Sequence, residues 1–217
     1  MIINVIGAGL AGSEAAYYLA KKGYKVNLYE QRPLKTTGAH TSDLFGELVC
    51  SNSLKNKSIT NACGLLKEEM RMFDSLMLEA ALNSEVPAGN ALSVDRTLFG
   101  EYITDKIKNH PNIKVIYEEV DELKEGINII ATGPLTSENM AKRLANLLGE
   151  DFLFFYDAAA PIIEKDSINM DIAYKKSRYD QGDDSYINCP FNKEQYEAFY
   201  HELINGERAK LHEFDKV

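Results

Sequence analysis

The chain has 217 residues, 45% of them hydrophobic and 26% charged, with three cysteines and a formal net charge of −9. That balance excludes a disordered chain, a disulfide scaffold, and the chain-wide basic surface of a nonspecific nucleic-acid binder. The acid excess lies late: residues 1–110 carry 12 basic and 12 acidic side chains, residues 111–217 carry 12 and 21. A local basic groove remains compatible with it.

No apolar run approaches the ~18–20 residues that span a bilayer. The opening MIINVIGAGLAG lacks the basic region and cleavage site of a signal peptide. An odd, low cysteine count fits a reducing compartment, so the cytoplasm is the expected location.

In chain order, Ile2 to Ile6 reads as a strand and Gly7 to Gly12 as a tight turn. Ser13 to Lys22 reads as a helix stopped by Gly23, and Lys25 to Tyr29 as a second strand ending at Glu30. Strand, helix and strand at this spacing predict a parallel βαβ unit. Residues 33–63, rich in Thr, Ser, Asn and Gly, read as one long loop. Apolar spacing predicts a single amphipathic helix over Leu65 to Leu82, then a turn at Val86 to Gly89. Asp95 is expected to cap a helix from Arg96 to Lys108, ended by His110-Pro111. Strands are expected at Ile113 to Tyr117, Glu118 to Leu123, Ile127 to Ala131 and Phe152 to Tyr156, with a helix at Ser137 to Leu148. A polar loop over Asp180 to Ser185 and a helix from Lys193 to Asn205 follow, and Leu211 to Val217 brings no closing element.

Three motifs carry chemistry. In Gly7-Ala8-Gly9-Leu10-Ala11-Gly12, the first glycine permits a tight turn and the second lets backbone approach a pyrophosphate. The third lets the helix pack close to the strand, and the helix N-terminus offers free N–H groups to phosphates. Glu30, at the end of the next strand, is placed to accept from both ribose hydroxyls and to repel a 2′-phosphate, which favours FAD or NAD over NADP. The second motif is an apolar strand ending in Ala131-Thr132-Gly133, where small residues let the chain pass close to a cofactor; it tilts the nucleotide towards FAD. Asp95-Arg96 is either a surface capping pair or a source of an arginine for phosphate or flavin. The third is the loop around Cys50, a redox or nucleophilic thiol or else a small packed residue. Cys63 and Cys189 fit packing better, and none of the three has a CxxC partner or metal spacing. Among the histidines only His40, in the loop with Cys50, merits a test. Val120 stands where backbone commonly holds adenine.

Together the strings GAGLAGSEAA, ELVCSNSL, NACGLLKEEM, VPAGNALSVDR, ATGPLTS, FYDAAAPII and YINCP resemble the folate- and FAD-dependent tRNA (uracil-5-)-methyltransferases, the TrmFO family. The GidA/MnmG flavoproteins are more distantly similar. The resemblance implies an α/β, Rossmann-like FAD-binding parallel sheet of the two-dinucleotide-binding-domain type, with the start of an α+β insertion domain. The expected division is 1–157 for the first part of the FAD domain and 158–217 for the beginning of the insertion. It implies formation of 5-methyluridine in the tRNA T-loop, with 5,10-methylenetetrahydrofolate as one-carbon donor, reduced FAD as carrier and reductant, and NAD(P)H as the reductant of FAD. A truncated inactive copy and a paralogue acting on ribosomal RNA are the alternatives. Gly7, Ala8, Gly9, Leu10, Ala11, Gly12 and Glu30 would hold the ADP moiety, with Arg96 and Gly133 secondary. Cys50 matches one of two family thiols. The other lies in a Phe-Glu-Gly-Cys-type motif past the stretch matching Leu211 to Val217, so this chain resembles an N-terminal half, and most tRNA contacts are expected elsewhere. No membrane partner is expected.

Overall fold

A computed structural model describes residues 1–149, 163–177 and 183–207. The chain divides into two compact units, Met1–Ala160 and Pro161–Val217. The boundary expected after residue 157, the strand expected over 152–156, the stretch 211–217 and the first half of the 180–185 loop lie outside the described residues.

The first unit is built on β1 (Ile2–Ile6), α1 (Leu10–Lys21) and β2 (Lys25–Glu30). It continues through β3 (Ser53–Asn56), α2 (Ala62–Met72), α3 (Leu76–Asn83), β4 (Glu85–Val86), β5 (Ala91–Val94), α4 (Arg96–Lys108), β6 (Ile113–Tyr117), β7 (Ile127–Ile130) and α5 (Glu138–Leu148). The main sheet has the order β6-β2-β1-β7, and every pairing is parallel. Chain order reverses between β1 and β7, and in such sheets the crevice outside the strands' carboxyl ends at the reversal is where ligands bind.

Alternate side chains of a strand face opposite ways, and both faces of this sheet are covered. Val5 and Leu28 enter the larger core with Phe45, Leu76, Leu92, Phe99, Ile103 and Ile107. Their neighbours Ile6 and Tyr29 pack on the other face with Val120 and Met140. Asn4 pairs in register with Asn27 and with Asn128 across the middle of the sheet. The Asn27 amide donates to Asn4 Oδ1 at 3.2 Å, and the Asn4 amide donates to the Glu125 carbonyl at 3.0 Å. A small antiparallel sheet, β3-β5-β4, sits beside this layer.

Several expectations need correction. Helix α1 begins at Leu10 rather than Ser13, directly after Gly9 as its N-cap. The single helix expected over 65–82 is two. Residues 73–75 break it, with Asp74 at φ +55° and the Ser75 hydroxyl accepting from Leu78 N–H. The apolar spacing continues through the break, but only α3 buries it: Leu76, Met77 and Ala80 are buried, whereas Leu65, Leu66 and Phe73 are exposed. The Glu14 carboxylate, from α1, accepts from Ser75 Oγ, Leu76 N–H and Met77 N–H at 2.9, 3.2 and 2.8 Å, fixing the start of α3. The 33–63 stretch is not all loop, since it holds β3 and the first turn of α2. No strand forms over 118–123, and β4 and β5 were not anticipated. Residues Gly133–Leu135 form a single 3-10 turn.

The second unit carries a two-stranded antiparallel pair, β8 (Tyr174–Lys175) with β9 (Ile187–Asn188), and α6 (Lys193–Asn205). Asn192 and Gln195 form a reciprocal capping box at the start of α6. Phe191 stacks on Phe199 with ring centroids 5.5 Å apart.

Backbone crosses backbone tightly at the glycine turn. A Cβ on Gly12 would fall 1.8 Å from the Gly7 carbonyl oxygen, and one on Gly7, at φ +99°, would fall 2.7 Å from the Ala131 oxygen. Gly12→Ala is therefore expected to lower stability by about 1–3 kcal/mol or more, read as a fall in the urea midpoint at unchanged slope.

Candidate functional site

The glycine turn and the end of β2 open onto a cavity of about 310 Å³ at the carboxyl ends of the strands. Gly7, Gly9, Leu10, Ala11, Glu30, Val120 and Gly133 line it, joined by Arg32, Thr37, His40, Glu47, Val49 and Met140. Gly9 and Gly133 have nothing within 4 Å of where a Cβ would stand, so both leave open space. Gly9 supplies no side chain to cap α1. The first N–H groups of that helix are thus left for a ligand. The Ser13 hydroxyl turns back to the Ala8 carbonyl at 3.0 Å and secures the turn. The residues present fit a dinucleotide: an open glycine cradle, a helix N-terminus and a carboxylate at the next strand end.

Glu30 is buried, and its two oxygens are heavily engaged. Oε1 accepts from Arg32 N–H and Arg32 Nε at 3.0 Å each. Oε2 accepts from Ala8 N–H at 2.9 Å and from Arg32 Nη2 at a looser 3.4 Å. Burial by itself would raise this carboxyl, but the hydrogen bonds and charge of Arg32 outweigh it and hold Glu30 below its ordinary range. It is therefore ionised at neutral pH and acts purely as an acceptor.

Arg32 is among the largest fully buried side chains. Its Nη1 donates to Glu47 Oε2 at 3.0 Å and to the Ser42 carbonyl at 3.1 Å. Glu47 in turn accepts from Thr41 N–H, Thr41 Oγ1 and Ser42 N–H at 2.9, 3.0 and 3.3 Å. Against the pull of burial, those bonds also hold the Glu47 carboxyl low. Gly46 N–H reaches the Ala8 carbonyl at 2.9 Å, and Phe45 N–H reaches Thr104 Oγ1 at 2.8 Å. The loop is thus tied to the glycine turn, to β2 and to α4. His40 lies at the cavity wall with Nδ1 2.6 Å from Thr37 Oγ1; burial, then the Arg32 charge, push its pKa down, so it is neutral at neutral pH.

The structure gathers most of the residues singled out from sequence but not all. Ala8 is buried behind the turn and serves through its N–H. Gly12 is the packing glycine described above. Arg96 is half-buried at the start of α4, where Asp95 caps Thr97 and Leu98 N–H, and it does not line the cavity. Cys50 is exposed and directly follows the lining residue Val49. Cys63 is half-buried in the first turn of α2, and Cys189 is exposed. Arg32 and Glu47 were missed by sequence reasoning. The only signal was an Arg two residues past Glu30 opening a polar loop that later carries two acids, Asp43 and Glu47. Among the described residues no His, Cys, Asp and Glu group could hold a metal ion, and no helix is long and apolar enough to cross a membrane.

Arg32→Met would strip the buried Glu30 and the partly buried Glu47 carboxylates of their shared cation. It is expected to cost about 3–5 kcal/mol in urea unfolding. Because the folded Glu30 and Glu47 pKa values lie below the ordinary 4.5, their stabilisation is complete above that value and is lost as pH falls through the folded values. The urea midpoint is expected to drop on acidification below about pH 4.5, with a shallower drop in Glu47→Gln.

A family model described as glucose inhibited division protein A matches residues 2–217. A methylenetetrahydrofolate–tRNA-(uracil-5-)-methyltransferase TrmFO from Bacillus pumilus is 60% identical over 214 residues, 99% of this chain and 49% of that protein. Its counterpart from Staphylococcus carnosus is 58% identical over 215 residues, with the same shares of each chain. The chain thus spans about half the length of the curated relatives it matches, and the resemblance drawn from the motif strings is borne out. Among solved structures, GidA of Aquifex aeolicus superposes with a TM-score of 0.48 at 21% identity, covering 61% of this chain and 25% of that one.

Proposed function

The chain belongs to the glucose inhibited division protein A family, and from that footing we propose that it forms the FAD-binding part of a tRNA uracil-5-methyltransferase. The observation that carries the reading is the cavity at the β1–β7 reversal, with open Gly9 beside the N-terminus of α1 and ionised Glu30 at the end of β2. The activity for which the TrmFO relatives are named supplies the reaction class.

In this reading the N–H groups of Leu10 and Ala11 bind the pyrophosphate, helped by the positive end of α1. Glu30 accepts from the adenosine ribose hydroxyls and disfavours a 2′-phosphate. Val120 flanks the adenine, and Gly133 leaves room for the rest of the cofactor. Bound FAD supplies electron transfer and one-carbon carriage, with 5,10-methylenetetrahydrofolate and NAD(P)H as co-substrates. Cys50, exposed next to the lining residue Val49, holds or protonates the reacting intermediate. The substrate is uridine in tRNA and the compartment the cytoplasm; most RNA contact falls to surfaces other than this acidic chain. Residues 1–157 serve the cofactor, and 158–217 begin an inserted domain.

Titrating the purified chain with FAD, followed by flavin fluorescence, tests the reading. Gly9→Ala should keep the wild-type urea midpoint, since a Cβ there meets no protein atom, yet weaken FAD by about tenfold or more. Equal FAD affinity in the two proteins, or no binding by either, would sink the assignment. In a full-length relative, unchanged tRNA methylation after replacing the cysteine that matches Cys50 would remove that thiol from the mechanism.

A further inference from the structure

We propose that Arg32 is a positioning residue that couples occupancy of the dinucleotide cavity to the conformation of the Cys50 loop. The proposal rests on the FAD reading above and goes beyond it in linking two parts of the site.

The geometry consists of one buried guanidinium shared between two carboxylates. On one side Arg32 holds Glu30, the ribose acceptor. On the other it holds Glu47 Oε2 and the Ser42 carbonyl, at 3.0 and 3.1 Å. Glu47 gathers the N–H groups of Thr41 and Ser42, and only Leu48 and Val49 separate it from Cys50. Leu48 is buried and Val49 lines the cavity, so a shift at Glu47 is carried to Cys50 by packed chain.

Four donors already engage the Glu30 carboxylate, which has about four lone-pair sites. An arriving ribose hydroxyl must displace one of them, and the weakest is the Arg32 Nη2 bond at 3.4 Å. The Ala8 and Arg32 backbone bonds are fixed by the fold. Released from Oε2, the guanidinium leans towards Glu47 and Ser42, and its charge strengthens the clamp on the loop. Ligand occupancy thereby tightens the segment that presents Cys50. Such a coupling is reciprocal, because both ends share one cation.

The test is the alkylation rate of each cysteine by iodoacetamide, resolved by peptide mass spectrometry, in the 217-residue chain with and without saturating FAD. Exposed Cys189, in the second unit, is the internal reference. In the wild type, FAD should slow Cys50 about fivefold or more while leaving Cys189 unchanged. In Glu47→Gln, FAD-free Cys50 should react faster, and saturating FAD should no longer slow it. Thr41→Val, which removes only the Oγ1 donor to Glu47, should move Cys50 in the same direction by less. It carries the test if urea unfolding shows Glu47→Gln to be unfolded. Equal slowing by FAD in wild type and variant would mean direct shielding by the ligand and would overturn the coupling. FAD binding by fluorescence with no change at Cys50 would overturn it too, with the cofactor assignment intact. Absence of FAD binding in the wild type would bring down both.

Discussion

One buried cation organises the cavity wall. Arg32 sits where burial would penalise any lone charge, and it is tolerated because two carboxylates and a carbonyl surround it. The group as a whole carries two negative charges against one positive, so the cavity edge retains acceptor character. The same contacts order the polar part of a loop whose Phe45 and Leu48 are set in the core. The guanidinium joins residues 42 and 47 to Glu30 at the end of β2, beside the anchoring of Phe45 in the core and of Gly46 on the Ala8 carbonyl.

That dependence explains what was legible in the sequence. The β1-α1-β2 unit was legible because each part leaves a local mark: an apolar run, three glycines at fixed spacing, a helix former, a second run ending in an acid. The cradle residues followed from the same marks. The 33–52 stretch left none, since its order comes from partners distant in the chain. Phe45 N–H bonds to Thr104, and Gly46 N–H to Ala8. Polar loop residues satisfied by tertiary bonds look, in sequence, like polar loop residues satisfied by water.

The break between α2 and α3 teaches a related lesson. The apolar period over 65–82 showed neither the break nor the burial, since Leu65, Leu66 and Phe73 are exposed while Leu76, Met77 and Ala80 are buried. The stop at Asp74 is local, yet the restart at Ser75 is fixed by Glu14, far back in α1. A carboxylate offered to a helix start from another helix has no signature in the helix it caps. Arg96 shows the converse: a motif with two local readings, of which the capping one is what the described contacts display.

The row Asn4, Asn27 and Asn128 bears on how the sheet finds its alignment. A strand apolar on both faces can slide past its neighbour by one residue with little loss of burial, because either set of side chains suits either core. The amides remove that freedom. Slippage would separate Asn27 from Asn4 and leave polar groups in the interior without partners. The Asn4–Asn27 pair, with the Asn4 amide bound to the Glu125 carbonyl ahead of β7, thus acts as an index mark, and the carboxyl ends of β1, β2 and β7, where the glycine turn, Glu30 and Ala131 must meet, inherit their relative heights from it.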